Sequence, residues 1–130
     1  MPTQPIHEKW FDRVAYDMDT AKAMLDAGKL IYAIFMCQQS LEKRLKALLA
    51  YQQKDVVPVH NLRRLAEFAE VVQEWNEPTL LKLDFLSSYY INARYKEDLQ
   101  TLSRGITEST AKDFIQFSEE MIGWLCQKMR

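Results

Sequence analysis

Between Glu8 and Ala27 the apolar residues Trp10, Phe11, Val14, Met18, Ala21 and Leu25 recur at every third or fourth position. That is the spacing of one helix face, and Gly28 behind it is the residue best suited to close the helix. After Gly28-Lys29, the residues Ile31, Ile34, Leu41, Leu45 and Leu48 mark a second, longer helix to about Gln52. So short a link predicts an antiparallel neighbour. Lys54 to His60 contains Pro58 and β-branched Val56, Val57 and Val59 without a helical period, and reads as a connector that packs its valines against the helices. A third helix is expected from about Asn61 to Val72. Asn76-Glu77-Pro78-Thr79 combines a capping side chain, an early acid and an early proline, which is a start signal with Asn76 as N-cap. The fourth helix then runs through Leu80, Leu83, Leu86 and Tyr90. From Lys96 to Gly105 the period is lost, before Thr107 caps a last helix with Phe114, Phe117, Met121, Trp124 and Met129 on one stripe. The pattern predicts an all-α fold, an antiparallel up-and-down bundle of four long helices plus a short additional one, as a single domain over residues 1–130.

Composition narrows the class without changing that picture. A chain of 130 residues has the size of one domain, and 48% hydrophobic with 27% charged residues is globular rather than disordered composition. Only 3 Gly and 4 Pro leave too few turn-formers for a sandwich or barrel. Lys+Arg 17 against Asp+Glu 18 excludes a global basic field that would gather nucleic acid. Cys37 and Cys126 both fall in apolar helical patterns and read as buried, reduced thiols. The N-terminus has no apolar signal region and no apolar run approaches the ~20 residues of a membrane span. The expectation is a soluble, cytoplasmic protein.

Candidate chemistry lies in three places. On the second helix, residues 35, 39, 42, 46 and 49 share one face, reading Phe35, Gln39, Glu42, Lys46 and Leu49, and Gln38 interrupts the inward stripe. Glu42 and Lys46 then form either an intrahelical ion pair or part of a polar pocket. At the end of the fourth helix Tyr90 and Arg94 are four apart, with Tyr95 beside them. A phenol and a guanidinium on one face can hold a phosphate or a planar base, and can equally finish a helix. His60, before Asn61, is placed to bond the open N–H groups of the third helix, an ordinary capping role. Two separated His and two buried Cys offer no metal site, and Gly28, Gly105 and Gly123 are too far apart for a phosphate loop. No cofactor is expected.

The run from Ala15 to Lys22, Tyr32-Ala33-Ile34-Phe35-Met36-Cys37-Gln38-Gln39-Ser40-Leu41-Glu42-Lys43-Arg44-Leu45-Lys46, His60-Asn61-Leu62, and Tyr90-Ile91-Asn92-Ala93-Arg94-Tyr95 together resemble the small prokaryotic HEPN domain proteins. The resemblance covers nearly the whole chain, and its most specific parts are Gln-Gln-x-x-Glu-Lys-x-x-Lys and Ala-Arg-Tyr. It implies a helical bundle, often a homodimer, made beside a separate small nucleotidyltransferase. Members are viewed as nucleotide- or substrate-binding subunits or as RNA-cleaving toxins of toxin–antitoxin pairs. The RNA-cleaving members share an Arg followed, after four to six residues, by a His. Here the permitted positions after Arg94 hold Leu99, Gln100 and Thr101, and those before His60 hold Gln53, Lys54 and Asp55. The leading expectation is therefore a non-catalytic module that holds a nucleotide, an RNA or a nucleotidyltransferase partner through Arg94, Tyr90 and Tyr95, with Lys46, Glu42 and His60. The alternative is a metal-independent ribonuclease toxin in which His60 reaches Arg94 across the bundle. A third reading keeps only an interaction protein, with Trp75 and Trp124 either on a dimer seam or in the core.

Overall fold

Five α-helices and one short 3-10 turn make up the described part of the computed structural model, which covers the backbone of residues 6–92 and 105–129 and the side chains of residues 12–89 and 105–129. Helix α1 (Ile6–Asp26) is followed by α2 (Leu30–Tyr51), α3 (Leu62–Phe68), the 3-10 turn Val72–Glu74, α4 (Glu77–Asn92) and α5 (Glu108–Gln127). No strand occurs among the described residues.

The link between α1 and α2 shows why it can be so short. Gly28 takes a φ of 78°. Its N–H reaches the Leu25 carbonyl at 3.0 Å and that of Lys29 reaches Met24 at 2.8 Å, the paired bonds of a Schellman close. Helix α2 lies at the centre, in contact with α1, α3, α4 and α5. Its Ile34, Cys37, Leu41, Leu45, Leu48 and Leu49 are buried with Leu62, Leu65, Leu83, Leu86 and Leu125 from the surrounding helices. Polar contacts tie α1 to α2 as well: Lys43 pairs with the buried carboxylate of Asp17, and Ser40 Oγ donates to the Val14 carbonyl at 3.1 Å.

The third helix differs from expectation. It stops at Phe68, because Glu70 adopts a φ of 60° and the N–H groups of Glu70 and Val71 turn back to Glu67 (3.0 Å) and Ala66 (3.1 Å). A non-glycine residue in this region costs roughly 1–2 kcal/mol, and no glycine marks the stop. What compensates is tertiary: Val71 is buried by the reversal, and Lys54 Nζ bonds both the Phe68 carbonyl and Glu70 Oε2 at 2.9 Å. Gln53 closes α2 in the same way, at a φ of 61°.

The predicted caps hold. Asn76 Oδ1 accepts from Thr79 N at 3.0 Å and Thr107 Oγ1 from Thr110 N at 3.1 Å. In the connector, Val57 and Val59 pack against the core while Val56 is exposed. Of the stripe expected on α5, Phe117 and Met121 are buried and Phe114, Trp124 and Met129 pack against the core, while Ala111, Ile115, Ser118 and Leu125 are buried beside them. Trp75 and Trp124 pack on each other within the chain, 5.2 Å between ring centroids, with Lys128 over Trp124 and bonded to Glu74. Both cysteines are free thiols: Cys37 is buried, but Cys126 is only partly so.

Candidate functional site

The chemistry-bearing residues of α2 meet the entrance to α3 at one buried carboxylate. Glu42 Oε2 lies 2.9 Å from Lys46 Nζ, one helical turn on, and 2.9 Å from His60 Nδ1. Its other oxygen, Oε1, accepts from Gln38 Nε2 at 3.0 Å. Gln38 Nε2 also donates to the His60 carbonyl at 3.0 Å, and Gln38 Oε1 accepts from Gln39 Nε2 at 2.7 Å. Gln38, Glu42 and Lys46 are buried, whereas the His60 side chain is 45% exposed.

Burial alone raises the pKa of a carboxyl, because it disfavours the charged form. Burial does push Glu42 up, but the hydrogen bonds from Lys46, His60 and Gln38 outweigh it and hold the group below its ordinary value. An ionised Glu42 can only accept, so His60 Nδ1 carries a proton. Nε2 is then an acceptor in the neutral ring and a donor in the imidazolium. The buried pair is compensated because both carboxylate oxygens have partners, the condition under which such a pair is tolerated in a low dielectric.

The cap assigned to His60 from sequence belongs to its neighbour. Asn61 Oδ1 accepts from Arg64 N at 3.0 Å, and the buried N–H of Leu62 donates to Ser87 Oγ of α4 at 2.9 Å. Helix α3 is thus held to α4 at its first turn, and Arg63 reinforces the junction with a two-point bond to Asp84 at 3.0 and 2.8 Å. These contacts set the position of His60 at the mouth of the cluster. Glu42, Lys46 and Gln38 were legible from their shared helix face, but the roles of Ser87, Arg63 and Asp84 depend on residues more than 20 positions apart.

Of the residues expected to hold a ligand, the structure brings together Glu42, Lys46 and His60. Tyr90 belongs to α4 by its backbone; its side chain, Arg94 and Tyr95 lie outside the described residues. No group of three or more His, Cys, Asp or Glu among the described residues is placed to hold a metal ion. No described helix is long and apolar enough to cross a membrane.

Comparison with known proteins agrees with this architecture. The chain resembles the crystal structure of ST0689, an archaeal HEPN homologue, at 22% identity and a TM-score of 0.75, covering 95% of this chain and 98% of that one. It resembles the crystal structure of TT1696 from Thermus thermophilus at 20% identity and a TM-score of 0.82, covering 96% and 99% of the two chains. At such identities the likeness concerns the fold. No curated protein matches the sequence. The family description "HEPN domain" matches residues 7–129, almost the entire chain, so the protein belongs to the HEPN domain family.

Proposed function

We propose that the chain is a nucleotide- or substrate-binding HEPN module, homodimeric and acting with a separate small nucleotidyltransferase, that performs no chemistry of its own. The observation that supports this reading is the imidazole of His60 held by a buried, ionised Glu42 at 2.9 Å while nearly half its surface faces solvent. A partly exposed imidazole oriented by a buried carboxylate is a group that can line a site for a phosphate, a sugar hydroxyl or a base edge. Lys46 is spent on Glu42 inside the cluster and serves to keep that carboxylate charged. In this reading Arg94, Tyr90 and Tyr95 add a guanidinium and aromatic surface for phosphate and base.

The test is thermal denaturation of the whole chain against ATP, GTP, their diphosphates and a short RNA, repeated on His60→Ala and Arg94→Ala. A ligand at 100 times its Kd adds about 2.7 kcal/mol, a shift of several degrees for a domain of this size. The expected result is a shift with a nucleotide that both variants lose. An absent shift, or one retained by both variants, refutes the site.

The same geometry favours one second reading, that of a metal-independent ribonuclease. A histidine oriented by a carboxylate is the arrangement general acid–base catalysis uses, and here it arises from residues 18 apart rather than from the Arg-to-His spacing of RNA-cleaving relatives. Cleavage of RNA by the purified chain in chelator, lost in His60→Ala, would replace the binding reading with this one.

A further inference from the structure

His60 belongs to the connector between α2 and α3, where residues 54–61 lie outside any helix. A residue in such a stretch has no ladder of main-chain bonds around it, so one bond from its ring to Glu42 does not by itself fix the backbone beneath the ring. Gln38 supplies the second hold. Its neighbours along the seam of α2 are Ile34, Cys37, Leu41 and Leu45, yet this fully buried amide directs its bonds to the His60 site. Nε2 donates to two acceptors, Glu42 Oε1 and the main-chain carbonyl of His60, each at 3.0 Å. Helix α2 therefore grips His60 at two points one turn apart: Glu42 Oε2 lies 2.9 Å from the ring Nδ1, and Gln38 takes the carbonyl.

The sense of the Gln38 amide follows from its partners. A main-chain carbonyl and an ionised carboxylate only accept, so the atom between them is nitrogen and both of its hydrogens are used. The amide oxygen then faces Gln39, whose Nε2 donates to it at 2.7 Å. A flipped amide would set oxygen against two acceptors and nitrogen against a donor. Gln39 is only half-buried, so this chain of bonds runs from the surface of α2 to the connector.

We propose that Gln38 is the positioning residue of this site: it fixes the main chain of His60 directly and the ring through Glu42, while Gln39 holds the amide in the sense that does so. This deepens the binding reading above and rests on it, because a group set in place before a ligand arrives loses less freedom on binding.

The experiment reads the His60 ring itself. The chain has two histidines, His7 and His60, so the ring nitrogen spectrum of histidine-labelled protein holds two sets of signals, and His7→Gln leaves that of His60. At about pH 9, above the ordinary imidazole range, the wild type is expected to carry its ring proton on Nδ1. Gln38→Met, of similar length but without donors, is expected to keep the wild-type circular dichroism and to move these signals toward a mixture of both tautomers. Ser87→Ala, which loosens the first turn of α3 without touching Gln38 or Glu42, is expected to leave them in place. Binding of ATP or GTP, read by thermal denaturation, is expected to weaken by roughly twofold to tenfold in Gln38→Met, the cost of ordering one more side chain on binding.

Ring signals that Gln38→Met leaves unchanged, or that Ser87→Ala alters as much, overturn the proposal. Should Gln38→Met not fold, the wild type and Gln39→Ala decide. Gln38 side-chain hydrogens that exchange with solvent as slowly as the core amides of α2, together with ring signals shifted by Gln39→Ala in the same direction, support it. Exchange as fast as in an exposed glutamine, or unmoved ring signals, overturns it. A wild type that neither ATP nor GTP stabilises overturns the binding reading, while the ring signals still decide the role of Gln38. A nucleotide shift kept at full size in Gln38→Met, beside altered ring signals, overturns the link between that role and binding.

Discussion

His60 Nδ1 lies 2.9 Å from Glu42 Oε2, so that a side chain at the mouth of α3 is oriented by a carboxylate buried in α2. The ring is half in solvent and its partner is not. This asymmetry makes Glu42 the structural member of the pair and His60 the more exposed one. It also separates the consequences of altering each.

Removal of the Glu42 charge is expected to destabilise the fold. In Glu42→Gln the buried ammonium of Lys46 loses its counter-ion, and breaking a buried pair from one side typically costs roughly 3–5 kcal/mol. Urea titration at pH 7 should show a midpoint well below that of the wild type. Lys46→Met, which removes the opposite charge with a similar aliphatic stem, tests the same pair from the other side. Equal midpoints for wild type and Glu42→Gln would show that the pair contributes nothing to folding.

The same carboxylate imposes a pH dependence. Its folded pKa is held below its unfolded value, which is about 4.3. A depressed acid contributes its full stabilisation above the unfolded value and loses it as pH falls through the folded one. Stability measured in urea should therefore fall as pH drops below about 4.3, and Glu42→Gln should flatten that dependence. A variant with the wild-type slope would assign the acid sensitivity to other carboxylates.

Ser87→Ala is expected to cost about 1–3 kcal/mol, because it leaves the buried Leu62 N–H without its acceptor. The loss falls at the first turn of α3, next to His60. Hydrogen exchange should consequently accelerate at the start of α3 more than in α2. Unchanged protection there would show that Arg63 and Asp84 hold the junction by themselves.

Cys37 and Cys126 should differ sharply in reactivity. Burial pushes the Cys37 thiol up to about 11. The thiolate is the reactive form, so a thiol reagent at pH 8 should label Cys126 alone in the native protein and both residues after unfolding. Native labelling that survives Cys126→Ser would contradict the burial of Cys37.

A core truncation provides the scale for these effects. Leu45 is fully buried at the centre of α2, and Leu45→Ala should cost about 2–5 kcal/mol. Against a total of about 5–15 kcal/mol for a typical domain, that leaves a folded but visibly weakened protein.

Much of this protein is written in short-range pattern. Helical periodicity located α1, α2, α4 and α5, and the side chains of Asn76 and Thr107 marked two helix starts, because each depends on contacts within about four residues. The shared face of Gln38, Glu42 and Lys46 was legible for the same reason. What sequence could not settle depends on residues brought together by packing. Helix α3 ends at Phe68 because burial of Val71 and the bonds of Lys54 sustain a left-handed Glu70, although no glycine announces it. His60 leaves the capping role to Asn61 and turns to Glu42, 18 residues back, because an ionised buried carboxylate outcompetes an open helix end. Trp75 and Trp124 meet each other across the fold, 49 positions apart in the chain. The sequence by itself determined the helices, since their hydrogen bonds are local; only the tertiary structure decided which polar groups are enclosed, and enclosure is what gives those groups fixed partners and directed chemistry.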